Sequence, residues 1–226
     1  MIPRPENPLI VALDVSDPDS AETLARTLEG MAGMFKVGLE LFTAHGPASV
    51  ERVRTFGSVF LDLKLHDIPT TVEHAARNAA RLGVDMLTVH ALGGEAMVAA
   101  AVRGASDGAP ADRSPPSVVA VTVLSSLAGE GLASPASLAF EAVSAGASGV
   151  VVSGDDVAVV RDVVGAEAVL VVPGIRPAGS NGHDQVRILT PEEAVERGAD
   201  YVVVGRAISE SSDPAAVARA ILASVR

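Results

Sequence analysis

Hydrophobic and polar positions alternate sharply through the first half of residues 59–71, VFLDLKLHDIPTT. Val59, Leu61, Leu63 and Leu65 fall on one face of an extended strand, and Phe60, Asp62, Lys64 and His66 on the other. Two readings fit such a strand. One is an edge strand with a solvated charged face. The other is a barrel strand whose outer face packs on helices and whose inner face ends in an active site. Asp67 follows Lys64 by three residues, and Ile68-Pro69-Thr70-Thr71 has the look of a helix start. The strand therefore ends where charge gathers, which favours the second reading.

The rest of the chain repeats one beat. Strands are expected at 8–14, 34–38, 84–90, 117–124, 149–153, 168–173 and 201–205, besides the one at 59–65. Helices are expected at 16–30, 40–56, 69–82, 93–104, 134–145, 155–164, from Thr190 onward, and at 213–225. Ser16 or Asp17 can cap the first helix, and Gly30 ends it. Gly46-Pro47 interrupts the second and offers an alternative start for it. Thr190, Pro191 and Glu193 form a capping-box pattern. Residues 107–116 read as a surface loop, because the beat resumes unchanged beyond them. Residues 174–189 form a long glycine-rich loop.

Runs such as LIVAL, VVAVTVL, GVVVS, AVLVV and YVVV are nearly all aliphatic, as parallel strands covered on both faces should be. Eight strand–helix units in 226 residues predict an α/β fold, a TIM (β/α)8 barrel, with residues 1–226 forming a single domain. A doubly wound sheet is the alternative, but it does not require polar residues at nearly every strand end.

Composition narrows the function. With 48% hydrophobic residues the chain can fill one core of this size. There is no cysteine, which excludes disulfides, thiolate metal sites and cysteine nucleophiles. The net charge of −11 argues against nucleic-acid binding, and the 3% aromatic content against a base-stacking platform. No apolar run is long enough for a membrane span, and residues 1–8 lack a signal core. A cytoplasmic protein is expected.

The expected strand ends carry Asp14, Lys36, Asp62, Lys64, Thr88, His90, Ser125, Ser126, Ser153, Arg176, Gly205 and Arg206. In a barrel these positions share one mouth. Each alone reads more readily as a polar residue reaching water. Jointly they suggest two subsites. Asp14, Lys36, Asp62, Lys64 and Asp67 supply alternating charge, which stabilises each ionised form. A lysine held between carboxylates is a proton donor and a poor base. PGIRPAGSNGHDQ and VGR supply glycine backbone and two arginines at the usual phosphate position of this fold. The histidines show no metal-binding spacing, and Ser125 has no evident His–Asp partners.

These residues resemble the orotidine 5'-phosphate decarboxylase family. DLKLHDIPTT carries the core of the likeness, and LIVALD, FKVGLELF, VTVLSS, VVPGIRPAGSNGHDQVRILTPEEA and YVVVGRAI extend it over nearly the whole chain. The D-x-K-x-x-D core is shared with sister enzymes, and HDIPTT with PGIRP and VGR is more specific. The resemblance implies decarboxylation of orotidine 5'-monophosphate to UMP and CO₂, the last step of de novo UMP synthesis, with no metal or cofactor. It implies a homodimer with shared sites. Lys36, Asp62, Lys64 and Asp67 would form a charged tetrad, with Asp67, Ile68 and Thr71 reaching into the partner's site. Lys64 would protonate C6. Asp14 and Lys36 would hold ribose hydroxyls, and Ser125 the pyrimidine edge. Arg176, Gln185, Gly205 and Arg206 would bind phosphate under the 174–189 loop. Segments 104–117 and 127–137 match no strong motif of the family. The alternative is a metal-dependent sugar-phosphate decarboxylase or aldolase like the 3-keto-gulonate-phosphate decarboxylase group. That group resembles the same core but has an acidic metal ligand where this chain has Lys36.

Overall fold

Aliphatic runs alternate with capped segments, and the chain folds accordingly. The computed structural model describes residues 5–123, 134–177 and 189–225. Its strands are β1 (Leu9–Ala12), β2 (Met34–Gly38), β3 (Val59–Leu65), β4 (Met86–His90), β5 (Ser117–Val121), β6 (Gly149–Val151), β7 (Val169–Val172) and β8 (Tyr201–Val204). Its helices are α1 (Pro18–Thr27), α2 (Leu39–His45), α3 (Pro47–Val53), α4 (Pro69–Arg81), α5 (Gly94–Gly108), α6 (Pro135–Ser144), α7 (Val157–Val164), α8 (Pro191–Glu196), α9 (Arg206–Ser209) and α10 (Pro214–Ser224). The strands pair in parallel in chain order, and β1 closes on β8 with Leu9 opposite Val202 and Val11 opposite Val204. The result is the expected (β/α)8 barrel.

Each strand divides its side chains between two cores. Leu9, Val11, Val59, Leu61, Leu87 and Val89 point outward into the layer shared with the helices. Ile10, Ala12, Phe60, Met86, Val119, Val171 and Val203 fill the barrel interior. Both faces are buried, so the strands read as unbroken apolar runs.

Helix starts follow local chemistry. The Asp17 carboxylate accepts from Ser20 N at 2.8 Å, and Thr190 and Glu193 form the anticipated capping box. Gly46, at φ 59°, separates α2 from α3, so one expected helix is two. The expected stop at Gly104 is overturned, since α5 continues to Gly108. Gly104 is there for space. A Cβ on it would lie 2.1 Å from the Glu73 carbonyl oxygen of α4, and one on Gly108 would lie 2.2 Å from that of Arg77. The two helices touch backbone to backbone at these glycines. The four-residue α9 directly after β8 was not foreseen.

Candidate active site

The mouth of the barrel is built from inward-facing positions at the carboxyl ends of β1 to β8. A cavity of about 200 Å³ opens there. Phe60, Val121, Val151, Val171 and Val203 give it apolar walls, and Lys36, Asp62, Lys64 and Ser153 its polar ones. Lys36 and Lys64 are the chain's two lysines; every other Lys/Arg position is arginine.

Four charges form a row. Lys36 Nζ donates to Asp14 Oδ1 at 2.7 Å and lies 3.8 Å from Asp62 Oδ2. Lys64 Nζ donates to both oxygens of Asp62 at 2.8 Å. Lys36 and Asp62 are each only 9% exposed, so these charges interact through little water. Gly38 makes room for the row: a Cβ there would lie 3.0 Å from Asp14 Oδ1 and 3.1 Å from Lys36 Nζ. Gly38 carries no signal in the sequence, because the requirement is set by how the Lys36 side chain of its own strand meets Asp14 just past the end of β1.

The alternation read from the sequence holds through Asp62 and then breaks. Leu61 pairs with Leu87 and Leu65 with Val89, so Asp62, Leu63 and Lys64 stand opposite Thr88 alone. Lys64 adopts φ 51°, and is the only non-glycine residue with positive φ among the described residues. A bulge of this kind re-aims side chains beside a site. Here it brings an ammonium onto the carboxylate two residues before it.

Behind Lys64, the rings of His66 and His90 lie 5.4 Å apart at 39°. Burial, then the nearby His66 and Lys64, hold the His90 imidazole below its ordinary pKa. Its Nδ1 is buried and has no hydrogen-bond partner among the described residues.

The remaining expected site residues fall into three groups. Asp67, Ile68 and Thr71 are all exposed, and Ile68 is 66% exposed. The Asp67 carboxylate accepts from Ile68 N and makes no ion pair with either lysine of its own chain among the described residues. Arg176 and Gly205–Arg206 follow the adjacent strands β7 and β8. A Cβ on Gly205 would lie 3.8 Å from Asp14 Oδ2, so the end of β8 reaches the charged row. Ser125 and Gln185 lie outside the described residues, as does most of the 174–189 loop. Among the described residues, no group of three or more His, Asp or Glu is disposed to hold a metal ion, and no helix is long and apolar enough to cross a membrane.

Fold and site together define a (β/α)8-barrel enzyme whose mouth holds alternating lysines and carboxylates. The profile of the Orotidine 5'-phosphate decarboxylase / HUMPS family matches residues 7–221, and the chain belongs to that family. It is 52% identical to the orotidine 5'-phosphate decarboxylase of Anaeromyxobacter sp. (strain K), over 97% of this chain and 99% of that one. It is 49% identical to that of Moorella thermoacetica, over 96% and 91%. The crystal structure of orotidine 5'-phosphate decarboxylase from Lactobacillus acidophilus superposes with a TM-score of 0.85 at 36% identity, covering 98% of this chain and 100% of that one.

Proposed function

We propose that the chain decarboxylates orotidine 5'-monophosphate to UMP and CO₂, the last step of de novo UMP synthesis, as a cofactor-independent cytoplasmic enzyme of one barrel domain. The observation that carries this reading is the Lys64 ammonium, 2.8 Å from both oxygens of buried Asp62 at the end of the row from Asp14 and Lys36. The near-full-length relatives named orotidine 5'-phosphate decarboxylase support it.

The chemistry requires such an ammonium. Losing CO₂ from C6 leaves an electron pair in an sp² orbital that the ring π system cannot delocalise. Lys64 stabilises that charge as it forms and then donates a proton to C6. Asp62 holds Lys64 in place and lies beside the departing carboxylate. Asp14 and Lys36 hold ribose hydroxyls, and Ser125 the pyrimidine edge. Arg176, Gln185, Gly205 and Arg206 hold the phosphate, far from the bond that breaks. Its binding energy is then available to close the loop and to appear in the transition state.

The site is completed across a homodimer, with Asp67, Ile68 and Thr71 entering the neighbour's mouth. Support for sharing comes from the exposure of those three residues and from Asp67 having no lysine partner in its own chain among the described residues. The test is the fall in absorbance of orotidine monophosphate on mixing with purified protein in EDTA. Steady turnover is expected. No turnover with or without EDTA overturns the assignment, and turnover seen only without EDTA shifts it to metal-dependent chemistry.

A further inference from the structure

The row of charges depends on an atom from a different strand. Thr88 is fully buried, and stands alone opposite the bulge formed by Asp62, Leu63 and Lys64. Its hydroxyl accepts from Lys64 N at 2.8 Å and donates to Asp62 Oδ1 at 2.9 Å. A hydroxyl can do both at once, and an aliphatic side chain can do neither.

Both bonds answer a local need. The bulge takes the Lys64 N–H out of the regular β3–β4 ladder, and a buried N–H without a partner is disfavoured. The Thr88 hydroxyl replaces the lost acceptor. The left-handed φ of 51° at Lys64 is unfavourable for any residue with a Cβ, so something must hold it there. On its donor side the hydroxyl occupies one lone pair of Asp62 Oδ1. This orients the carboxylate so that both oxygens face Lys64 Nζ at 2.8 Å. One side chain thus ties the backbone of the proton donor to the carboxylate that aims it.

We propose that Thr88 is a positioning residue for the reaction, its hydroxyl holding the β3 bulge in the form that sets the Lys64 ammonium against Asp62. Its kinetic consequence rests on the decarboxylase reading above. Losing the hydroxyl leaves the Lys64 side chain in place but free to leave its productive position. The effect belongs in kcat rather than in substrate affinity, because among the described residues Thr88 reaches the site through Asp62 and Lys64 alone.

The test compares Thr88→Val, which keeps the shape, with Thr88→Ser, which keeps the hydroxyl. On orotidine monophosphate, Thr88→Val is expected to lose roughly ten- to a hundred-fold in kcat with KM changed less than about three-fold. Thr88→Ser is expected to stay within about five-fold of wild type. A second readout uses the chain's two lysines, which give two side-chain signals in a ¹³C-lysine NMR spectrum. The Lys64 signal, assigned with Lys64→Arg, is expected to move in Thr88→Val and to return in Thr88→Ser, while that of Lys36 stays. A Thr88→Val enzyme within about two-fold of wild-type kcat overturns the proposal, as does a Thr88→Ser enzyme as slow as Thr88→Val. If Thr88→Val does not fold, Thr88→Ala is measured against the same outcomes. If the wild-type protein fails to turn over the substrate, the decarboxylase reading falls. The NMR comparison still decides the role of Thr88, and an unmoved Lys64 signal overturns it.

Discussion

Replacing Lys64 by alanine removes the ammonium that the reading assigns to charge stabilisation and proton donation. The expected loss can be scaled from the site. Lys64 Nζ sits 2.8 Å from each oxygen of Asp62, with its side chain 29% exposed. A carbanion lobe at a similar distance would gain about 6 kcal/mol from a full positive charge at an effective dielectric near 20. Asp62 already claims part of that charge and water reaches the side chain, so about half, ~3 kcal/mol, is the appropriate share. That alone is worth more than ~100-fold in rate. Loss of the proton donor adds roughly another 10²-fold or more. We expect kcat to fall by at least about 10⁴-fold in Lys64→Ala. Asp62 keeps its bond from Thr88 and its neighbour Lys36 at 3.8 Å, so destabilisation is held to roughly 1–3 kcal/mol. The assay is the absorbance change of orotidine monophosphate, with circular dichroism and a thermal melt to establish folding. A folded Lys64→Ala protein within about ten-fold of wild-type kcat would refute the reasoning, since the ammonium would then not carry the chemistry.

Arg206→Ala should raise KM for orotidine monophosphate by roughly ten-fold or more while leaving any slow turnover of the phosphate-free nucleoside unchanged; equal losses on both would count against a phosphate role. With sites shared as proposed, mixing Lys64→Ala with Asp67→Ala subunits should restore about a quarter of the sites, because half the random dimers would carry one intact site. No recovery after verified subunit exchange would contradict the sharing of Asp67. His90 is held below its ordinary pKa of 6.5 by burial, His66 and Lys64, against a smaller opposing pull from Asp62. The unfolded chain therefore takes up a proton first as pH falls, and stability present above about 6.5 is lost below it. His90→Asn should show a smaller drop in melting temperature between pH 7 and 5, on the order of a few degrees; parallel curves for the two proteins would rule this out. Gly104→Val should cost about 3 kcal/mol or more, read as an earlier denaturant midpoint, because its Cβ would meet the Glu73 carbonyl at 2.1 Å. An unchanged midpoint would mean that α4 and α5 separate at no cost.

The number and order of strands, the barrel, the polar strand ends and the family were all legible in the sequence. Strand runs, caps and the D-x-K-x-x-D spacing depend on neighbours near in the chain, and local physics determines them. Asp14, Lys36, Asp62 and Lys64 could be assigned to one mouth because a parallel barrel brings all carboxyl ends of its strands together. Tertiary structure decided the rest. The period of two in residues 59–66 predicts Lys64 on a regular strand, yet a register shift against β4 turns it to φ 51°. Nothing in β3 itself reveals this, since the shift is an outcome of pairing with another strand. Thr88, a bare strand-end polar residue in the sequence, becomes the link between Lys64 and Asp62 only when β3 and β4 lie side by side. Gly104 looked like a helix stop, and is a point where two backbones touch. Sequence carries the short-range periodicities, whereas register, close approach and the partner of a buried hydroxyl arise between segments far apart in the chain.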